Sequence, residues 1–566
     1  MSLPDVETVV SADTYTDTAA ATDIATDTEA APGESLESGT APQGADGEST
    51  QPPTVRSLPR RFGIAALYLA IAVALFATYL RISDTFPMVS DGANNALQGW
   101  DLLHGHLLLH GWIIGDATYY TLELPLFALT EAVTGLNSST THVVAALTCL
   151  IVVIAAAALA RGEARGAQAV MRYIVVVGIL AVPLRNLGAT SVIDSNPEHF
   201  GTGAILLLAF LLIERRAQHW LTPFLLAALL VAGEVGDATV LYVGALPIVL
   251  VGTYRVLATR KVFSLNTAIV LAAAASYPLT HLARRVMRHF GGYTMVLPHT
   301  ELAPAHRWMH NAHLVYRDIL IDFGHDRSME PHDFTTTLGF ILCMAAMLSG
   351  LAGLLWVLLR WFRASWGEQL VVTAIVVNLG AFAVSAVIAT DNAREIIFVV
   401  AGSAVLAARM VGPKLASRRT VMAGLAVAGV VPLVMGLERP VATTYTPDLT
   451  QFLEDHHLSY GISEYTDASS VSLQSGGKVQ VRAVDHAGTQ YAGYSWETRA
   501  DWYDPAKYDA TFFIADPTDA RDQVAPADVE KVYGAPDELY TVQGRVVLVY
   551  NFNLLDKVYP AHRAKG

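Results

Sequence analysis

The sequence predicts an all-α polytopic membrane domain of about eleven transmembrane helices, followed by a small α+β domain at the C-terminus. Two observations support this fold class. Hydrophobic residues make up 53% of the 566 residues, only 16% are charged, and the mean hydropathy is +0.39, whereas a soluble domain carries about 25% charged residues. Long apolar runs recur between residues 62 and 436 and then give way to a polar segment.

The apolar runs define the predicted spans. A helix needs about 20 apolar residues to cross a bilayer, and eleven segments approach that length. They lie at 62–80, 141–160, 170–186, 200–214, 220–233, 238–255, 264–282, 336–359, 368–389, 395–410 and 418–436. The segment at 200–214 is short, and the pair covering 220–255 could be divided differently. Nothing between the segments reads as an open strand, which the hydrocarbon region would forbid.

Basic residues give the predicted orientation. If the N-terminus is cytoplasmic, each of six successive cytoplasmic sides carries two or three arginines or lysines, beginning with Arg60 and Arg61, whereas the opposite short loops carry little besides Arg81, Arg185 and Arg394. Short cytoplasmic loops are enriched in Lys and Arg. The sequence therefore predicts a transmembrane domain at 59–437, with large external loops at 81–140 and 283–335, and an external domain at 438–566.

The N-terminal segment is unlike the rest of the chain. Residues 1–55 hold eleven Asp or Glu and no Lys or Arg, so the remaining residues, with 37 basic and 40 acidic side chains, are almost balanced. Such a segment cannot bury enough apolar surface to offset its ordering entropy. We expect residues 1–58 to form a disordered acidic cytoplasmic tail, with a regulatory or protein-binding role as the alternative. The charge balance indicates no nucleic-acid partner.

The polar C-terminal segment alternates helix and strand patterns. LTQFLEDHHL predicts a short helix, ATFFIAD a buried strand, and PADVEKVYG a helix that ends at Gly534. Two hairpins are predicted, one turning at Gly476-Gly477 and the other at Gln543-Gly544, because β-branched and polar residues alternate on either side of each pair. Cys149 and Cys343 both lie in apolar runs, so no disulfide framework is expected.

Polar side chains gather at the predicted external ends of the spans. Charged groups are costly to desolvate at a membrane boundary and usually sit in a polar cavity. Because three separate segments offer such groups at one face, we expect them to share a site. These candidate residues are Asp91, Trp100, Tyr119 and Glu123 after the first span, Asp194, Asn196 and Glu198 before the fourth, and Arg394 before the tenth.

This set of side chains suits chemistry on a lipid-linked substrate. A partly buried carboxylate can remove a proton from a hydroxyl group when burial raises its pKa. An arginine can hold a phosphate through paired hydrogen bonds. Aromatic faces such as Trp100 and Tyr119 can stack on sugar rings. Several carboxylates together could also hold a divalent metal ion through oxygen ligands.

The order of these features resembles the GT-C superfamily of membrane glycosyltransferases, to which bacterial lipid-A aminoarabinose transferases and protein O-mannosyltransferases belong. The resemblance covers roughly residues 62–436. In MVSDGANNALQGWDLLHGHLLLHGW, Asp91 stands where the family has its general base, although the family often has Asp-Glu where this chain has Asp91-Gly92. DSNPEHF resembles the second acidic loop, and NAREIIFVVAGSAVLAARM resembles the late segment in which an arginine precedes a span.

The resemblance implies an activity and roles for the candidate residues. The donor would be a polyprenyl-phosphate-linked sugar held at the membrane lipid, the acceptor an external glycan, lipid or protein, and the reaction usually inverting. Asp91 would be the general base, with Asp194 or Glu198 as an assisting acid or ion ligand. The remaining candidates would bind substrate, and they are Arg394, Glu123, Trp100, Tyr119 and Asn196.

Simpler roles are possible for several of these residues. Asp91 could cap a helix that begins at Gly92, Glu123 could merely face water, and Arg394 could pair with Asp391. Three histidines of the first loop and several of the second are better explained as interfacial residues than as zinc ligands, because tetrahedral ligation is not visible in their spacing. A non-catalytic transporter, or a scaffold presenting the C-terminal domain, is the alternative from another functional class.

Overall fold

The structure is a computed structural model. It describes residues 58–181, 198–296, 301–324, 334–386, 393–438, 440–442, 445–487, 489–518 and 523–560. The predicted acidic tail, together with Asp194, Asn196 and Asp391, lies outside the described residues.

Every apolar segment that the sequence offers as a span coincides with a helix. The sixth segment begins as a π-helix at Val240–Ala245 and continues as an α-helix. The eleven helices are α1 Leu58–Ser83, α4 Ser139–Arg161, α5 Gly166–Ala181, α6 Phe200–Arg216, α7 Thr222–Gly236, α8 Leu246–Thr259, α9 Leu265–His289, α11 Phe334–Leu359, α12 Trp366–Val384, α13 Phe398–Leu415 and α14 Arg419–Leu437.

Seven helices of the described chain are long and apolar enough to cross a membrane, by length and composition. They are α1, α4, the joined π-helix and α8, α11, α12, α13 with its preceding turn, and α14. Two shorter apolar helices, α5 and α7, fall below that length. A count of eleven crossings therefore remains a prediction, whereas the predominantly helical fold is confirmed.

Three further helices occupy the predicted external loops. They are α2 Ser90–Leu103 and α3 Glu123–Thr134 in the first loop, and α10 Trp308–Asp322 in the second. The sequence of α2 contains small residues on the face that meets α3, and a Cβ atom added to Gly99 would lie 2.6 Å from Cβ of Phe127. The two helices can pack this closely only because Gly99 has no side chain.

The C-terminal region contains a seven-stranded sheet with the order β10-β5-β4-β3-β7-β9-β8. The central strand β3 is parallel to β4 and to β7, and the remaining pairs, apart from β10 with β5, are antiparallel. The elements are α15 Pro447–Asp455, β3 Tyr460–Ser463, α16 Tyr465–Gln474, β4 Gln480–Ala487, β5 Gln490–Gly493, β6 Thr498–Arg499, β7 Phe512–Ala515, α17 Pro526–Tyr533, β8 Glu538–Val542, β9 Arg545–Val549 and β10 Val558–Tyr559.

One of the two predicted hairpins is wrong. Residues before Gly476-Gly477 form α16, not a strand, and β4 after them pairs in parallel with β3. Both glycines have positive φ, +63° and +79°, and such residues commonly end a helix. The buried Ser472 hydroxyl donates to the carbonyl oxygen of Ala468 within the helix. The hairpin turning at Gln543-Gly544 is confirmed by the antiparallel pairing of β8 with β9.

The first loop and the C-terminal region share a hydrophobic core. One buried cluster contains Leu109 and Trp112 from the loop together with Tyr491 and Phe513 from the C-terminal region. A small second sheet reinforces this contact, because β1 Trp112–Ile114 pairs with β2 Thr294–Met295 and with β6. Segments from both large loops and from the C-terminal region are therefore held against one another.

Candidate functional site

The first turn of α2 carries Asp91 into contact with the C-terminal region. The helix begins at Ser90, and no side chain forms a hydrogen bond that caps it, so Asp91 is not the helix cap that was one interpretation of the sequence. Its Oδ1 accepts a hydrogen bond of 2.6 Å from the hydroxyl of Tyr465. Tyr465 is the first residue of α16, which packs against α2.

The Tyr465 hydroxyl lies between two carboxyl groups. It is 2.6 Å from Asp91 and 3.0 Å from Oε2 of Glu497, and it also accepts a 3.0 Å hydrogen bond from Asn94. A tyrosine has only one hydroxyl hydrogen to donate. Burial, and then the nearby Asp91 charge, raise the pKa of Glu497 well above its usual range. Tyr465 lies within hydrogen-bond distance of both carboxyl groups, and the shorter distance favours Asp91 as the acceptor of its hydrogen.

Asn94 fixes the distance between α2 and α16. Its side chain is fully buried, its amide nitrogen donates to Tyr465, and its amide oxygen accepts a 2.7 Å hydrogen bond from Ser469. Both polar ends of the amide are thus satisfied across the helix pair. A buried amide that lost these partners would incur a desolvation penalty of about 1–3 kcal/mol, so the pairing holds Asp91 in position.

Glu198 and Arg394 form an ion pair beside Asp91. Glu198 directly precedes α6, and Arg394 lies in a short 3₁₀ turn, Ala393–Ile396, before α13. Burial raises the pKa of Glu198, the Arg394 charge opposes this effect, and the neighbouring Asp91 adds to it, giving a pKa of about 7. The Glu198 side chain is 11% exposed, whereas that of Arg394 is 45% exposed. Arg394 therefore keeps part of its guanidinium available to a ligand.

A second ion pair lies behind the first. His199 Nδ1 is 2.7 Å from Oδ2 of Asp237. The Thr202 hydroxyl donates to the same oxygen, and the Thr239 amide donates to Oδ1. Burial alone would lower the pKa of His199, but Asp237 and Glu395 raise it to about 10. Burial alone would raise the pKa of Asp237, but His199 and the hydrogen bonds lower it to about 2. The pair is therefore charged at neutral pH.

Tyr119 and Glu123 complete the wall of this cluster. Tyr119 packs edge to face against His199, with ring centroids 5.8 Å apart. Glu123 is only 3% exposed, so the interpretation that it merely faces water is wrong. Burial, with smaller contributions from Asp237 and Glu198, raises the pKa of Glu123 to about 8, and it is largely protonated at neutral pH.

The structure brings together five of the eight predicted residues. Asp91, Tyr119, Glu123, Glu198 and Arg394 lie in one cluster, which we call the carboxylate cluster together with His199, Asp237, Tyr465 and Glu497. Trp100 lies nine residues further along α2, roughly 14 Å along the helix axis, and its ring packs against His104. Asp194 and Asn196 lie outside the described residues.

Three residues that complete the cluster, Asn94, Tyr465 and Glu497, are not among the predicted site residues. Tyr465 and Glu497 come from the C-terminal region. Tyr465 is 374 residues from Asp91 along the chain. Asn94 stands among the small residues of SDGANNALQGW. That pattern of small residues around an amide was the sequence signal that Asn94 would be buried in a helix contact. Among the described residues, no group of three His, Cys, Asp or Glu side chains is arranged to hold a metal ion.

Comparison with known proteins identifies the fold. No family profile and no curated protein sequence matches the chain. Two crystal structures of ArnT from Cupriavidus metallidurans, one bound to undecaprenyl phosphate and one in the apo state, align with TM-scores of 0.50 and 0.51 at 10% and 11% identity, each covering 86% of this chain and 98% of theirs. An Archaeoglobus fulgidus oligosaccharyltransferase, in complex with Zn and sulfate, aligns with a TM-score of 0.46 at 12% identity over 79% of this chain and 68% of its own.

The ArnT alignments cover 86% of this chain, about 487 of its 566 residues, so they include part of the region after residue 437. The predicted fold class, a helical membrane fold with an α+β C-terminal region, is confirmed. The chain therefore shares the overall fold of the ArnT structures, in line with the resemblance of its short motifs.

Proposed function

We propose that this protein is an integral membrane glycosyltransferase that transfers a sugar from a polyprenyl-phosphate donor to an acceptor outside the cytoplasm. The observation that carries the proposal is the meeting of Asp91 with the Glu198–Arg394 ion pair, since the three residues come from separate helix ends. The shared fold supports it, because one ArnT structure is bound to undecaprenyl phosphate.

Each group has a role that its surroundings favour. An acceptor hydroxyl would lose its proton to Asp91 while its oxygen attacks the anomeric carbon of the sugar. The bond between that carbon and the phosphate oxygen would break, and polyprenyl phosphate would leave. The half-exposed guanidinium of Arg394 would stabilise the phosphate charge that develops. Attack from the face opposite the leaving phosphate inverts the anomeric configuration.

Hydrogen bonding around Asp91 supports its role as the base. Tyr465 donates a hydrogen bond to Oδ1 of Asp91, and its hydroxyl is held in turn by Asn94 and lies 3.0 Å from Glu497. A base that is fixed in this way needs little reorganisation when the acceptor arrives. Trp100 and Asn196 remain candidate contacts to the substrates, and Asp194 or Glu198 would be the assisting acid, a role that the contact with Asp91 supports for Glu198.

Substitution of Asp91 and Arg394 tests the proposal. We expect Asp91→Asn to lower transfer by about 10²–10⁴-fold, because asparagine cannot accept the proton. The same variant should still bind undecaprenyl phosphate, whereas Arg394→Ala should bind it at least about tenfold more weakly. Transfer would be measured in native membranes supplied with radiolabelled polyprenyl-phosphate sugars, and binding on purified protein.

A matched control removes a carboxylate that lies outside the cluster. Asp448 is exposed in the C-terminal region, so Asp448→Asn should leave both transfer and undecaprenyl-phosphate binding unchanged. Full activity of Asp91→Asn, in a variant that folds as the parent does, would reject Asp91 as the base. Unchanged binding by Arg394→Ala would reject the phosphate contact.

A further inference from the structure

A second charged site lies at the opposite end of the helices that carry the carboxylate cluster. Helix α6 begins at Phe200, next to His199 of the carboxylate cluster. Near the other end of this helix, Glu214 borders a cavity of about 1140 Å³. Fourteen residues of helix separate the two positions, roughly 21 Å along the axis. Seven arginines and three glutamates line the cavity, which we call the arginine recess. It faces the side that the sequence predicts to be cytoplasmic.

Most of the positive charge in the recess is not neutralised within the chain. In the part of the chain that the structure describes, Arg409 is the one lining arginine that forms an ion pair, at 3.0 Å from Glu214. Arg172 donates to the carbonyl oxygens of Ala160 and Arg161. Such bonds to neutral carbonyls orient a guanidinium but leave its charge uncompensated. Seven arginines against three glutamates leave the recess with an excess of four positive charges, which is unfavourable unless an anion joins them.

The recess is built into the helix packing and is not a chance grouping of surface residues. Arg409 is only 3% exposed, and its Nε has no hydrogen-bond partner among the described residues, as is also true of Arg172. A Cβ atom at Gly412 would lie 2.8 Å from Cγ of Arg172, and one at Gly162 would lie 3.4 Å from Nη2 of Arg409. The glycines thus leave space in which the two guanidinium groups are held.

We propose that the arginine recess binds a phosphate-bearing anion at the membrane surface, and that the phosphate headgroup of an anionic phospholipid is its source. Guanidinium groups bind phosphate oxygens through paired, charge-assisted hydrogen bonds. Basic pockets between transmembrane helices on the cytoplasmic side bind such headgroups. The recess differs from the contact proposed for Arg394, because it lies at the other ends of the same helices.

Binding measurements on full-length protein test this site. The protein would be reconstituted in phosphatidylcholine nanodiscs and titrated with cardiolipin, with phosphatidylglycerol and, separately, with inorganic pyrophosphate. Arg165 and Arg216 are exposed lining residues for which the structure gives no ion pair among the described residues, so Arg165→Gln with Arg216→Gln should not disturb folding. Each arginine near a membrane contributes roughly a fivefold factor in anion affinity, so we expect at least tenfold weaker binding.

The control places the same charge change elsewhere on the same face. Arg418 and Arg419 are exposed and lie outside the recess, so Arg418→Gln with Arg419→Gln should change affinity less than about twofold if the recess is the site. A selective loss of lipid binding in the recess variant supports the lipid source, and a selective loss of pyrophosphate binding supports a soluble one. Binding of neither probe, or equal losses in both variants, would overturn the proposal.

Discussion

The pKa of Glu198 near 7 places a titrating group next to the proposed base. At a pH below 7, protonated Glu198 can donate a hydrogen bond to Asp91, which makes Asp91 a weaker proton acceptor. As the pH rises through 7, Glu198 loses its proton and Asp91 becomes the stronger base. Activity should therefore increase with pH across this range. A hydrogen bond to a charged group contributes about 1.5–3 kcal/mol, which corresponds to roughly a tenfold change or more.

Glu198→Gln should remove this pH dependence. Glutamine keeps a hydrogen-bond donor beside Asp91 but does not titrate, so the rate of the variant should stay at the low plateau from about pH 6 to pH 8. The measurement is the rate of transfer at saturating donor as a function of pH. Glu530 is exposed in α17, and Glu530→Gln should keep the parental profile. A variant of Glu198 whose rate still rises through pH 7 would contradict the assignment.

The sequence predicts that some residues of the carboxylate cluster are neighbours but does not predict others. Asp91, Glu198 and Arg394 were predictable as neighbours because each stands at the end of an apolar segment, and the membrane forces such ends to one of two faces. Tyr465 and Glu497 were not predictable. They lie in a polar region whose docking on α2 depends on Asn94, Ser469 and a shared apolar core, and no local pattern in the chain encodes that contact.

At the scale of elements, the close packing of α2 on α3 determines where Asp91 lies. Gly99 faces the backbone of α3, and an added Cβ atom would lie 2.6 Å from Cβ of Phe127 and 3.1 Å from the amide nitrogen of Ala128. Neither atom is the end of a flexible side chain, so the helices themselves would have to separate. Overpacking of this kind costs about 1–3 kcal/mol.

Gly99→Ala should therefore lower both the apparent Tm and the rate of transfer, although alanine is intrinsically better in a helix by about 1 kcal/mol. The matched control is Gly380→Ala in α12, because nothing lies within 4 Å of the position that its Cβ would occupy. That variant should be as stable as the parent or more so. Equal effects of the two substitutions would show that contact between α2 and α3 does not control the site.

Helices and strands were predicted with unequal success, for a physical reason. Apolar segments long enough to approach a bilayer have few alternatives to a helix, since backbone groups in hydrocarbon must be satisfied internally, and each of the eleven coincides with one. In the polar C-terminal region, helix and strand are closer in free energy, so the local pattern decides less. Serine-rich α16 reads as a strand by its alternation, but its hydroxyls bond to backbone carbonyls within the helix and to β4, as Ser472 does with Ala468 and Val481.

At the scale of the whole molecule, the carboxylate cluster depends on how the C-terminal region is fastened to the first loop. Asp101 in α2 forms a 3.0 Å ion pair with Arg499 in β6 and accepts a 2.8 Å hydrogen bond from the Trp112 indole. Both charged side chains are 18% exposed. Strand β6 follows Glu497 in the chain, so movement of this strand would carry Glu497 away from Tyr465.

Reversal of the Arg499 charge should loosen this attachment. Arg499→Asp would put a carboxylate beside Asp101 and Asp501, both of which Arg499 pairs with, and we expect it to destabilise the protein by roughly 2–4 kcal/mol and to reduce transfer. Adding Asp101→Arg restores opposite charges and should recover part of the stability, but not all, because arginine cannot accept the hydrogen bond from Trp112. The measurements are the apparent Tm and the rate of proteolysis of the C-terminal region.

A control within the same region separates attachment from surface charge. Lys478 forms a 2.9 Å ion pair with Glu454, but its side chain is 72% exposed, and exposed pairs contribute only about 0.2–1 kcal/mol. Lys478→Asp should therefore leave proteolysis and transfer nearly unchanged. If Arg499→Asp behaved in the same way, the C-terminal region would not be held through Asp101. Tyr465 and Glu497 would then have to be kept at Asp91 by the apolar core, by the α2–α16 contact and by the pairing of β6 with β1, which also join the two regions.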